Sequence, residues 1–194
     1  MNERAALTLS NSSLRYVSRE KFAGWLASTG TAALRLLPPE TAHDVGMALL
    51  ARGLMDHLPA PAVEPLQAGM RTTVPGIGPL SHPIGLAAGF DKNAEVFPAL
   101  AKLGFGFLEV GTVTPLPQPG NPKPRIFRIP PAALVNSLGF NNCGLEEFAR
   151  NLSRRRCPVP VFANIGKGKA TPNEAALDDY QISLRHLRDK AQGF

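Results

Sequence analysis

The chain of 194 residues is 44% hydrophobic and 19% charged, a globular composition with enough apolar residues for one real core, which excludes a disordered or fibrous chain. Its two cysteines, Cys143 and Cys157, have no CxxC or metal-ligand spacing; this excludes a disulfide framework and a cysteine metal centre and points to free, partly buried thiols in a reducing cytoplasm. The formal charge is +6, of which residues 121–156 carry +5 (seven Lys or Arg against two Glu); with no interleaved aromatics this is no nucleic-acid surface, and an anionic substrate or lipid is the expected use of the charge.

Residues 1–19 are polar and are expected to form a disordered tail. They lack the apolar segment of a secretory signal, and Glu3 and Glu20 argue against a transit peptide. Residues 20–37 read as an amphipathic helix, with Phe22, Trp25, Leu26, Ala33, Leu36 and Leu37 apolar and Lys21 and Arg35 basic. Gly24, Gly30 and Arg35 leave it too interrupted to span a bilayer. Pro39 opens a second helix at its favoured first-turn position, with Glu40 and Asp44 near the positive end of the dipole, and the helix is expected to run to about Leu54. The two helices make a small domain over residues 20–58. By itself this reads as a helical cap, and its apolar face, Trp25 and basic flanks also suit binding in the plane of a membrane surface.

Residues 59–69, with Pro59, Pro61 and Pro65, read as a linker. Residues 70–83 predict a β-hairpin around Pro75-Gly76-Ile77-Gly78, placed to plug the bottom of a barrel. In PIGLAAGFDKN (83–93) an apolar strand ends at Gly89 and hands over to Asp91 and Lys92 before a helix at about 95–103. That order sets the charges at the carboxyl end of a strand, where α/β proteins hold ligands. The pattern repeats in FLEVGTVTP (107–115), which ends on Gly111, Thr112 and Thr114. Residues 118–128, stiffened by Pro119, Pro122 and Pro124, cannot be helical and suit a fixed excursion over a barrel mouth.

Asn136, Asn141 and Asn142 bracket Leu138-Gly139-Phe140, a turn whose amides can offer donor and acceptor to a planar ligand; asparagine is equally at home in a turn for backbone reasons. A helix over 144–156 and a buried strand over 159–166 follow. A helix over 171–190 is then expected, with Thr171, Pro172 and Glu174 as N-cap, first-turn proline and capping-box acid. Strands near Ile84, Phe107 and Val161 thus alternate with helices, which is the α/β class with a parallel sheet.

The strand ends at Ala88, Gly89, Thr112 and Asn164 can supply hydrogen-bond donors and a dry stacking face to a planar ligand. Lys92 stands where a cation would stabilise negative charge on a bound ligand, and its competing reading is a solvated lysine at a helix start. Residues 166–169, GKGK, lack the GxxxxGK[ST] spacing of a phosphate loop.

The strings GLAAGFDKN (85–93), EVGTVTPLPQPGNPKPRIFR (109–128), VNSLGFNNCG (135–144) and ANIGKGK (163–169) resemble dihydroorotate dehydrogenases, specifically their membrane-associated, quinone-reducing class. The likeness runs in order from about Leu37 to the last residue. It implies a (β/α)8 TIM barrel, here incomplete with about its first three strands, preceded by the N-terminal helical domain. It implies FMN as cofactor, oxidation of dihydroorotate to orotate, a membrane quinone as final acceptor, and peripheral attachment to the cytoplasmic side of the inner membrane. The helical pair becomes the quinone entrance.

By the same resemblance Ala88, Gly89, Phe90, Asp91, Lys92, Thr112 and Asn164 fall on flavin-contacting positions. Lys92, Asn136, Ser137, Leu138, Gly139 and Phe140 fall on substrate-contacting positions, and His43 and Arg128 on a quinone tunnel, although a surface histidine is the common fate of a His43. The family's base is a serine in a stretch expected beyond Phe194, so these residues are expected to be an amino-terminal part, inactive alone. Cys143 attracts notice because the soluble class uses a cysteine base, but it lies inside the asparagine turn. Two other readings stay open, another pyrimidine-acting flavin barrel and a non-catalytic binding module.

Overall fold

The computed structural model describes residues 29–57, 71–81, 83–130 and 132–194. The expected tail, the first half of the first helix and the linker lie outside the described residues; the part of that helix that is described is helical over 29–35. Helix α1, Pro39–Ala51, begins as its sequence predicts, with proline and Glu40 in the first turn. It stops short of the expected Leu54 because Gly53 takes a φ of 83°, the left-handed conformation that ends helices, and a separate turn α2, Leu54–His57, follows. Strands β1, Thr72–Val74, and β2, Gly78–Leu80, form the expected antiparallel hairpin with Thr72 opposite Leu80.

Three parallel strands make the central sheet: β3, Gly85–Leu86, β4, Phe107–Val113, and β7, Val161–Ile165, with β4 in the middle. All three stand at the positions the sequence predicts. Helix α3, Phe97–Ala101, links β3 to β4 and is shorter than expected, because Ala94 takes a φ of 55° and delays the helix start. Between β4 and β7 the proline-rich stretch does not stay irregular. It ends in a second hairpin that the sequence reading missed, β5, Ile126–Ile129, against β6, Ala133–Asn136, followed by helix α4, Leu145–Arg154.

The last helix also departs from expectation. A 3-10 turn, Asn173–Ala175, precedes α5, Ala176–Leu187, and Thr171 caps neither. The Thr171 carbonyl is instead taken by Lys167 Nζ at 2.6 Å, and the Asp179 carboxylate accepts the Gly168 N–H at 2.8 Å, so the turn is folded onto the end of β7.

Alternation along the strands sorts the two faces of the sheet. Leu108, Val110, Val161 and Ala163 are buried, in one core with Phe97 and Leu100 of α3, Phe148 and Leu152 of α4 and Leu187 of α5. The opposite face carries Phe107 and Phe162, packed edge to face at 5.4 Å, and beyond them Glu109 and Asn164, all half-buried. Beside β7, Gly193 makes a parallel bridge to Phe162, its carbonyl accepting the Ala163 N–H at 3.0 Å. A strand direction parallel to β7 is therefore already set at residue 193.

Candidate active site at the strand ends

The carboxyl ends of β3, β4 and β7 are tied into one knot by backbone hydrogen bonds. The Gly89 N–H donates to the Gly111 carbonyl at 2.8 Å and the Gly111 N–H to the Asp91 carbonyl at 3.0 Å. Gly111 pairs with Asn164, and the register slips before Val113. A slip of this kind re-aims a strand-end side chain, and Thr112 Oγ1 here donates to Asn164 Oδ1 at 2.5 Å. Asn164 Nδ2 in turn donates to Glu109 Oε1 at 2.7 Å. Thr112 and Asn164 are thus brought together. Glu109, which orients the Asn164 amide, was missed from sequence, where the available signal was a lone carboxylate in a seven-residue apolar strand.

Residues 88–92 form the turn that leads out of β3. Gly89 has a φ of 101° and is exposed, and a Cβ added there would meet nothing within 4 Å. Asp91 is buried, and both its carboxylate oxygens accept backbone amides, those of Glu95 and Val96 at 2.8 Å, ahead of α3. Burial pushes its carboxyl up, opposed by the amides of Glu95, Val96 and Phe97. Asp91→Ala is expected to leave those amides unsatisfied and to cost about 1–2 kcal/mol of stability, read from a urea midpoint; an unchanged midpoint would show that the cap is idle.

Lys92 turns back over the same turn, donating from Nζ to the Gly89 carbonyl at 2.7 Å. Burial, then the Arg125 cation, hold its ammonium below the usual lysine range, against the pull of Glu40, Asp44 and Asp91. His43 on α1 meets the turn from the other side, with Nε2 2.9 Å from the Phe90 carbonyl oxygen and its ring edge-on to Phe90 at 5.3 Å. Lys92, Phe90, His43, Leu138 and Asn141 line one cavity of about 500 Å³ between α1 and the strand ends. Asn141 Oδ1 is buried there with no partner among the described residues.

The turn after β6 is set by left-handed backbone at Gly139 (φ 72°) and Phe140 (φ 52°), with Phe140 exposed. Asn136 Oδ1 accepts the Leu138 N–H at 3.4 Å, and the Ser137 carbonyl accepts from Asn121 Nδ2 at 2.8 Å. Asn142 is the turn's anchor: Nδ2 donates to Thr114 Oγ1 at 2.9 Å and to the Phe140 carbonyl at 2.8 Å, while Oδ1 accepts the Gly144 N–H at 2.8 Å. Its backbone reading therefore holds, and the exposed Asn136 keeps amide capacity for a ligand. Arg128 stands apart from this cluster. It donates to the carbonyls of Arg35 and Leu37 at 2.9 and 2.7 Å, closing the end of the helical segment 29–35. Cys143 is half-buried and free, and burial pushes its thiol up to about 11, which suits neither a base nor a nucleophile.

A parallel sheet with helices on one face and amide, hydroxyl and ammonium groups collected at its carboxyl ends defines an α/β protein, a class in which ligands sit on the strand-to-helix loops. The sequence profile of dihydroorotate dehydrogenase matches residues 70–194. The chain belongs to the dihydroorotate dehydrogenase family. It is 56% identical over 120 residues to a dihydroorotate dehydrogenase (quinone) of Chloroflexus aurantiacus, covering 61% of this chain and 33% of that protein. It is 48% identical over 150 residues to the one of Methylococcus capsulatus, covering 77% and 44%. A ligand-free DHODH from Eimeria tenella superimposes with a TM-score of 0.68 at 41% identity, over 79% of this chain and 43% of that one. The chain thus spans between a third and a half of the length of these relatives.

Proposed function

We propose that these residues supply the amino-terminal part of the active site of a quinone-linked dihydroorotate dehydrogenase, which oxidises dihydroorotate to orotate. The observation that carries this reading is the shared cavity of Lys92 and the 138–141 turn, reached from β3 and β6, which sets a desolvated cation beside a turn with free amide capacity. The groups present also fit the ring edge of a flavin: the Lys92 ammonium and the second N–H of Asn164 as donors, the Thr112 hydroxyl oxygen as an acceptor, and the side of Gly89 that has no side chain as room for close approach. FMN bound there would supply hydride acceptance and onward electron transfer to a quinone. Lys92 would hold negative charge at the ring edge or on the substrate carboxylate, Asn164 would be fixed by Glu109, and Asn136 with the backbone of Ser137 to Phe140 would orient the pyrimidine.

No residue here is assigned as the base that removes the substrate proton, help typically worth about 10² to 10⁴ in rate. Among the described residues the sheet holds three parallel strands, against eight in a closed barrel. The 194 residues expressed alone are therefore expected not to rescue a pyrimidine auxotroph that lacks this activity. An enzyme containing them is expected to purify yellow, to lose its flavin band when dihydroorotate is added without oxygen, and to regain it with quinone. A colourless protein, or a band that dihydroorotate leaves unbleached, would sink the reading.

The proposal extends to place. Among the described residues no helix is long and apolar enough to cross a membrane, while Val45 and Leu49 on α1 and Leu36 in the turn before it are exposed. Peripheral binding to the cytoplasmic face of the inner membrane, through residues 20–58, should show as co-sedimentation with anionic liposomes that weakens with salt. Equal sedimentation by a protein lacking residues 1–60 would remove these helices as the anchor.

A further inference from the structure

Arg125 is 6% exposed, and all three guanidinium nitrogens donate inside the protein. Nε and Nη2 donate to one oxygen of Glu40 at 3.1 and 2.8 Å, and Nη1 donates to the carbonyls of Pro119, Asn121 and Leu138 at 2.6, 2.9 and 3.5 Å. Around this cation two stretches of loop are zipped together. The Asn121 N–H donates to the Leu138 carbonyl at 3.0 Å, the Ser137 N–H to the Arg125 carbonyl at 2.9 Å, and Gln118 and Asn142 exchange backbone hydrogen bonds at 3.1 and 3.0 Å. There is no slack at the crossing: a Cβ on Gly120 would stand 2.6 Å from Arg125 Nη1, and one on Gly139 2.9 Å from the Asn121 nitrogen.

The counter-charge for this buried cation comes from another part of the fold. Glu40 sits in the first turn of α1, 85 positions away in sequence, and its side chain is 16% exposed. Its contact with Arg125 holds its carboxyl below the usual range. Lys123 reaches the same oxygen at 3.2 Å but is exposed. Removing one partner of a buried pair leaves the other charge uncompensated, and it must then find water. For Arg125 the route to water draws the guanidinium off the Pro119, Asn121 and Leu138 carbonyls together.

We propose that the Glu40–Arg125 pair is a positioning device through which the seating of helix α1 sets the shape of the 136–140 turn, and so the affinity for the pyrimidine. This rests on the substrate role proposed above for that turn. Glu40 and Arg125 act here as positioning residues: the Arg125 guanidinium is given to Glu40 and the loop carbonyls, and Glu40, at the wall of the cavity, gives its carboxylate oxygen to Arg125. The device also links α1, which the resemblance gives to the quinone side and which forms one wall of the cavity, to the 136–140 turn, so that loosening one loosens the other.

The test uses the flavin-loaded enzyme that carries this chain, with two readouts besides turnover. Orotate affinity is titrated on the flavin spectrum, and amide hydrogen exchange is followed over residues 118–125, 136–142 and the β1–β2 hairpin. Glu40→Ala is expected to raise the orotate Kd about tenfold and to speed exchange about tenfold in the two loop stretches, leaving the hairpin unchanged. Glu40→Gln keeps the acceptor oxygen but not the charge and should fall between wild type and Ala. Arg125→Lys cannot serve five acceptor contacts from one ammonium and should loosen the same stretches, which supplies a second variant if Glu40→Ala does not fold. An orotate Kd within twofold of wild type in these variants, or exchange that rises equally in the hairpin, would overturn the proposal. A wild-type enzyme that fails to bind orotate would defeat the substrate reading instead, and the exchange pattern would still decide the device.

Discussion

Lys92→Ala in the flavin-loaded enzyme is expected to slow flavin reduction by dihydroorotate by about 10²- to 10³-fold, the usual loss when one group aimed at developing charge is removed. The fold should survive, because Nζ makes its hydrogen bond to a carbonyl at the surface of the turn and no core residue rests on it. Stopped-flow absorbance of the flavin band measures the rate, and a wild-type rate in the variant would falsify the assignment. The reaction should also report the state of the ammonium. Burial and Arg125 lower its pKa, so the cation, and the rate that depends on it, should be lost as pH rises through a value below the usual 10.5. Stability moves the opposite way over that window. Between the lowered value and the usual one the unfolded chain holds more protons than the folded one, so stability from this group rises with pH. A rate and a stability that fall together there would point to unfolding and not to Lys92.

Gly111→Ala is expected to destabilise the protein by about 2–5 kcal/mol, summing about 1–2 for a non-glycine residue at positive φ and about 1–3 for overpacking. Gly111 has a φ of 116°, and an added Cβ would collide with the backbone oxygen of Asn164 and stand 3.2 Å from the Val113 nitrogen. Those are backbone atoms of β7 and β4 and cannot step aside as a flexible side chain would. The position also joins three segments, giving its N–H to Asp91 and its carbonyl to Gly89. Against a typical total of about 5–15 kcal/mol, such a loss should show as an insoluble protein or a large drop in melting temperature. Gly76→Ala is the control: its φ is 79° but nothing lies within 4 Å of the added Cβ, so only the backbone cost of about 1–2 kcal/mol applies. Equal effects at the two positions would mean that close packing at the strand ends is not the cause.

Local chemistry was what the sequence by itself determined. Proline at a helix start, glycine at strand ends and apolar runs placed α1, the first hairpin and all three parallel strands, because each depends on neighbours a few residues away. The strand-end position of Lys92, Thr112 and Asn164 was legible for the same reason. The hairpin β5–β6 was hidden by prolines that mark only what its approach cannot be. The helix expected from Thr171 was displaced because Lys167 and Asp179 bond to the turn from outside it. Asp91 could not be told from a ligand contact until α3 was seen to hold its amides against the carboxylate.

Tertiary structure alone decided the pairings of long separation: Glu109 with Asn164, Asn142 with Thr114, and Glu40 with Arg125. Each joins polar groups whose partner lies 28 to 85 positions away. A polar side chain carries no local period that would announce such a partner, and only burial, which makes an unpaired polar group costly, selects it.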